Sequence, residues 1–180
     1  AAMEQQIAFD NIEAMTQLLD TLELDFKDED GVQRLYCNDI DVTEAIRTPE
    51  ISANVSAVSM IPIVRESMTA QQRRIAQGAD VLMDGRDIGT VVLPNADVKI
   101  YMTASSAIRA KRRFDELIAK GETADLDKIE ADIIERDHRD MTRELNPLKQ
   151  AEDAVYVDSS DMTIEEVVAR LEEIITQKVS

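Results

Sequence analysis

Two groups of polar residues have types and spacings suited to chemistry. The first is Asp84-Gly85-Arg86-Asp87, set abruptly after the apolar run VLM. A carboxylate directly after a hydrophobic strand can hold Mg²⁺ through water, and Gly85 permits a tight turn. Arg86 and Asp87 can then meet opposite ends of one polar ligand. The same four residues also suit an ordinary surface turn. The second group is Arg136, Asp140 and Arg143, whose i, i+4 and i+7 spacing puts them on one face of a helix. A solvated face competes with that reading, because Glu135 with Arg139 and Arg136 with Asp140 have ordinary helical salt-bridge spacing.

These groups belong to a wider bias. Of thirteen arginines, ten lie between residues 65 and 143, in a chain whose net charge is −17. The average field repels nucleic-acid polymers and anionic membranes, while clustered planar guanidinium groups suit a small phosphorylated ligand. Ion pairing along helix surfaces explains the cluster equally well on this observation alone. The single cysteine, Cys37, excludes an internal disulfide framework and a cysteine zinc cluster, and the lone His138 excludes a histidine metal site. A reducing cytosol fits, and neither a signal peptide nor a membrane-spanning run is recognisable.

The positioning elements follow from periodicity. Residues 4–20 have helical spacing, and LELDF and VQRLYC flank the turn DEDG, predicting an antiparallel hairpin over 22–37. Thr48-Pro49-Glu50 opens a helix through about Met60, and Pro62 opens another that stops at Gly78. ADVLMD (79–84), DVKIYMT (97–103) and AVYVDSS (154–160) read as buried strands. Between and after them come a helix capped by Ser105 or Ser106 and closed by Gly121, a long charged helix over 126–145, and a closing amphipathic helix. Buried strands alternating with helices predict a parallel α/β core with a small β insertion near its start. In such a sheet the ligand crevice lies beyond the carboxyl ends of the strands, where Asp84–Asp87 falls.

The segments SANVSAVSMIPIVRE (52–66), DGRDIGTVVLPNADVKIYMTAS (84–105), ASSAIRAKRR (104–113) and ERDHRDMTRELNPL (135–148) together resemble bacterial cytidylate kinases, in order and at similar spacing. The resemblance runs over almost the whole chain. It implies a P-loop kinase-like α/β fold, with a parallel sheet flanked by helices. Residues 1–60 would form the nucleoside-monophosphate-binding region carrying the hairpin insertion, and 61–180 the remaining core with a helical lid at about 109–125. The implied reaction moves the γ-phosphoryl group of ATP to CMP or dCMP, with Mg²⁺, in a cytoplasmic monomer. Ser56, Arg65 and Asp87 would surround the cytosine ring. Arg86 and Arg143 would clamp the monophosphate, and Arg136 with Asp140 would meet the sugar hydroxyls. Arg109, Arg112 and Arg113 would close over the ATP phosphates, so Arg86, Arg143, Arg109 and Arg113 are the expected catalytic groups. Asp84 would be either a Mg²⁺-water ligand or a structural carboxylate.

One family feature does not occur in these residues. The five glycines, 31, 78, 85, 89 and 121, offer no G-x-x-x-x-G-K-[ST] loop to cradle a β-phosphate. The expectation is therefore that the natural protein is longer, and that these 180 residues alone bind CMP weakly without using ATP. The rival reading is a non-catalytic CMP-binding fragment. A related kinase acting on UMP, AMP or shikimate is disfavoured by the DGRD segment with Ser56 and Arg65.

Overall fold

The computed structural model describes residues 1–77 and 80–179, without the side chains of Pro49, Ser52, Ala53 and Ser56. Two compact units divide the chain, Ala1–Leu82 and Met83–Ser180.

In the first unit, helix α1 (Ile12–Asp20) starts where the Asn11 side chain accepts from the Ala14 amide at 3.1 Å. This is later than the helix expected from residue 4, because Gln6 takes a left-handed φ of 54° and Asn11 caps a fresh start. Thr48 caps α2 (Pro49–Ser59), and Pro62 occupies the first turn of α3 (Pro62–Ile75). Gly78, the expected terminator of α3, lies outside the described residues. Met15 and Leu18 of α1 meet Val64 of α3 in a small core, sealed by Phe9, Leu22, Val58 and Met68.

The predicted hairpin is β1 (Leu24–Glu29) paired antiparallel with β2 (Val32–Cys37), in register Leu24↔Cys37 through Glu29↔Val32. Asp30 and Gly31, at φ 56° and 77°, supply the two left-handed positions that a two-residue turn requires. A second such turn, at Asn38 and Asp39, adds the short strand β3 (Ile40–Asp41). Gln71 and Arg74 of α3 hold this sheet by its backbone. Gln71 accepts from the Leu24 amide and donates to the Leu22 carbonyl, while Arg74 donates to the Leu24 carbonyl.

The second unit contains the parallel pair expected of the α/β class. Strand β4 (Ile100–Thr103) pairs with β5 (Val155–Asp158), Ile100 opposite Val155 and Thr103 opposite Asp158. The crossover carries α4 (Ser106–Ala119) and α5 (Leu126–Thr142), and α6 (Ile164–Val179) closes the chain. Ser105 caps α4, and Gly121 at φ 78° ends it in the conformation that glycine adopts most readily. The segment anticipated as a lid, 109–125, comprises the last turns of α4 and the link to α5. Thr163 and Glu166 form a reciprocal capping box at α6. Val92, Ala104, Ala110, Val157 and Ile174 are buried.

One expected strand is not formed. Residues 80–84 are irregular, with Val81 and Leu82 exposed at 43% and 86%. Apolar composition alone does not make a strand: its backbone groups need a ladder, and among the described residues none pairs with this segment. None of the described helices is long and apolar enough to cross a membrane.

Candidate functional site

The DGRD segment is shaped by close packing. A Cβ on Gly85 would lie 2.9 Å from Ile88 Cγ1, so only glycine fits without a shift. Asp87 begins a single wide π turn, Ile88–Val92, in which the Leu93 amide reaches back to the Ile88 carbonyl at 2.7 Å. Such turns recur at functional sites because they redirect side chains locally. Buried Val92 anchors this one. Gly89 leaves room for the stem of Lys99, a side chain only 8% exposed, whose ammonium group donates to Asp153 and the Pro94 carbonyl.

At the far end of α5 the helix stops at Thr142, and Arg143 turns extended at φ −60° and ψ 141°. The helix was expected to continue to 145. It stops early because Asn146, at φ 51° just before Pro147, ends helical geometry, and Arg143 Nε donates to the Asn146 carbonyl at 2.7 Å. Arg143 therefore reaches the site from a cap rather than from a third turn on one helical face.

These two segments meet. Arg86 Nε donates to Asp140 Oδ2 at 3.0 Å, and Arg136 Nε lies 3.9 Å from the same oxygen. Arg143 Nη1 is 3.7 Å from Asp140 Oδ1, and Arg143 Nη2 is 3.7 Å from Asp87 Oδ1. Arg143, Asp87 and Asp140 are nearly buried, at 9%, 12% and 14%, whereas Arg86 and Arg136 are open to solvent at 40% and 54%. Three guanidinium groups face two carboxylates, leaving one formal positive charge in a chain of net charge −17. Such a cluster, half open to solvent, can take an oxyanion between Arg86 and Arg143 and hydroxyl groups at Arg136 and Asp140. Two of its arginines, Arg86 and Arg143, are held by hydrogen bonds before any ligand arrives.

The other anticipated residues occupy separate surroundings. Arg109 on α4 grips Asp137 of α5 through both terminal nitrogens. Arg112 donates to the Ser159 and Met162 carbonyls beyond β5, and Arg113 pairs with Glu116. In the first unit, Arg65 Nε donates to the Ser59 carbonyl at 3.1 Å. Ser56 lies in α2, with its side chain outside the described residues. A cavity of about 200 Å³ in that unit, between Thr16 and Asp20 of α1 and Glu66 of α3, includes none of the anticipated site residues. Asp84 is exposed, and among the described residues no three His, Cys, Asp or Glu converge as a metal cage. Mg²⁺ held against phosphates needs only one or two carboxylates, so a single exposed Asp84 fits such an ion.

Two residues of this constellation carried no sequence signal of their role. Asp137 finds its partner 28 positions away in the chain, and the Asn146 carbonyl acts through backbone rather than side chain. The Asn-Pro pair at 146–147 is a turn signal that could have located the second of them.

The family model for cytidylate kinase matches residues 1–177. The chain belongs to the cytidylate kinase family. It is 50% identical over 177 residues to a protein named cytidylate kinase from Lactobacillus gasseri, covering 98% of this chain and 77% of that one. A cytidylate kinase from Lactiplantibacillus plantarum is 45% identical over 179 residues, covering 99% and 78%. One from Streptococcus pneumoniae is 46% identical over 171 residues, covering 94% and 77%. Both the DGRD segment and the α5 cluster fall inside the region matched by the cytidylate kinase model.

Proposed function

We propose that this protein is a nucleoside monophosphate kinase that transfers the γ-phosphoryl group of ATP to CMP or dCMP, giving CDP or dCDP. The observation that carries the reading is the preorganised Arg86, Asp87, Arg136, Asp140 and Arg143 cluster in a member of the cytidylate kinase family. Arg86 and Arg143 hold the acceptor monophosphate, and Arg136 with Asp140 take the sugar hydroxyls. Asp87 accepts from the N4 amino group of cytosine, a position where uracil carries an acceptor oxygen that the carboxylate repels. Ser56 and Arg65, which the resemblance assigns to the cytosine ring, belong to the first unit. Arg109, Arg112 and Arg113 face the ATP phosphates, and the segment 109–125 closes as a lid. Asp84 would hold Mg²⁺ through water, and the ion would supply positive charge to neutralise the phosphate oxygens. The enzyme acts as a cytoplasmic monomer on small nucleotides.

Phosphoryl transfer asks little covalent work of the protein and depends on positioning and charge stabilisation, which fixed arginines supply. The decisive experiment measures turnover of CMP, dCMP and UMP by protein expressed from its complete coding sequence, with and without Asp87→Asn. The unaltered enzyme is expected to strongly prefer the cytidine nucleotides. Asp87→Asn should narrow that preference by about 1–3 kcal/mol, the cost of one lost buried polar contact. Equal turnover of UMP and CMP by the unaltered enzyme would defeat the assignment of Asp87.

A further inference from the structure

Arg136 and Asp137 are consecutive on α5, and one residue turns a helix by about 100°, so they face different neighbours. Arg136 faces Asp140 in the acceptor cluster, while Asp137 faces Arg109 on α4. The Arg109 guanidinium is fixed at three points. Nη1 donates to Asp137 Oδ1 at 3.1 Å, Nη2 donates to Oδ2, and Nε donates to the Ala104 carbonyl at 2.9 Å. Ser106 Oγ donates to Glu130 Oε1 at 2.9 Å, a second tie between the same two helices. Asp137 is 20% exposed and Arg109 35%, so the pair is shielded on the protein side and open on the other. A guanidinium has five N–H donors. Three are engaged here, which leaves two for an incoming anion.

We propose that Asp137 is a positioning residue, which fixes the Arg109 guanidinium for phosphate and ties it to the helix that carries the acceptor clamp. This rests on the reading of Arg109 as a group facing the ATP phosphates. A flexible arginine must be ordered when it binds phosphate, whereas one locked at Nε and at both tips has already lost that freedom. The carboxylate also sets which two N–H groups point outward. Asp137 touches no reacting atom in this arrangement, so its effect must pass through Arg109.

The test uses protein from the complete coding sequence and compares Asp137→Asn, Asp137→Ala, Arg109→Ala and the double variant Arg109→Ala/Asp137→Ala. Asp137→Ala should lower kcat/KM with ATP varied by about tenfold, the scale of one charge-assisted hydrogen bond, and weaken ATP binding in titration calorimetry. The KM for CMP should not change. In the Arg109→Ala background, adding Asp137→Ala should cost nothing further. Asp137→Asn, nearly isosteric, should show a smaller loss in the same ATP parameters, and it carries the comparison where the alanine variant unfolds. ATP parameters unaltered by either substitution, losses that multiply in the double variant, or a matching rise in KM for CMP would each overturn the proposal. Absence of CMP-dependent turnover in the unaltered protein would overturn the functional reading instead, and calorimetric ATP binding would then decide the role of Asp137 by itself.

Discussion

Asp140 divides its two carboxylate oxygens among three guanidinium groups, and the exposures of those groups separate their roles. Arg143, at 9% exposure and bonded to the Asn146 carbonyl, is built into the protein. Arg136, at 54% exposure and 3.9 Å from its partner, contributes little to folding. A loose, exposed ion pair of this kind is worth less than about 1 kcal/mol. Arg136→Ala should therefore leave the thermal midpoint almost unmoved while lowering kcat/KM for CMP by about tenfold, since a charge-assisted hydrogen bond to ligand is lost. Asp140→Ala should impair both, because it leaves nearly buried Arg143 with only one of its two neighbouring carboxylates, Asp87. Calorimetric melting and steady-state kinetics on the two variants make the comparison. Unchanged kinetics in Arg136→Ala would return that residue to the solvated face that its spacing also allows. The pairing of Arg136 with Asp140 was legible at i, i+4, but the convergence of Arg86 on the same carboxylate, 54 positions away, was not.

At the scale of elements, legibility followed locality. Thr48, Ser105 and Gly121 act within a turn of themselves, and each starts or ends a helix where its chemistry indicates. Residues 80–84 of the expected strand did not form one, because strand formation depends on a distant partner, which no local pattern encodes, and none pairs with them among the described residues. The hairpin shows a third case. Its strands and turn were readable, but its polar lattice was not. Arg34 bridges Glu29 and Asp41, and Tyr36 donates to Glu29 while the Lys27 ammonium lies 4.3 Å from its ring centroid. Hydrogen bonds from the Thr43 side chain and amide, and then from Arg34, bring the Asp41 carboxyl from its ordinary 3.8 down to about 2. A depressed carboxyl pKa stabilises the folded state above the unfolded value, and that contribution disappears as pH falls through the folded value. The stability gap between the unaltered protein and Asp41→Asn should thus be constant above pH 3.8 and close as pH drops toward about 2. Urea midpoints of both proteins across that window test it. A gap that persists below pH of about 2, or one that widens on acidification, would show that the ionised carboxylate is not what stabilises the third strand.

For the whole molecule, charge sets a contest between range and proximity. The 180 residues carry a net charge of −17, yet the candidate site has three arginines against two aspartates. A nucleotide monophosphate approaching from solvent meets the repulsive average field first and the arginines last. At an ionic strength of 0.01 M the Debye length is about 30 Å, so charge throughout the protein acts on the incoming anion. At 0.15 M it is about 8 Å, and the anion responds only to the groups nearest the site. Screening should therefore weaken the long-range repulsion more than the short-range attraction of partly buried guanidinium groups. The expected outcome is that the CMP association rate rises, or at least holds, as salt is raised across this range. The dissociation rate should increase only modestly, because contacts at hydrogen-bond distance are poorly screened. Stopped-flow binding of CMP at several ionic strengths separates the two rates. An association rate that falls steeply with salt would mean that the arginine cluster, not the acidic average, governs the approach. Neutralising Arg86 and Arg136, the two exposed members of the cluster, should then remove that fall.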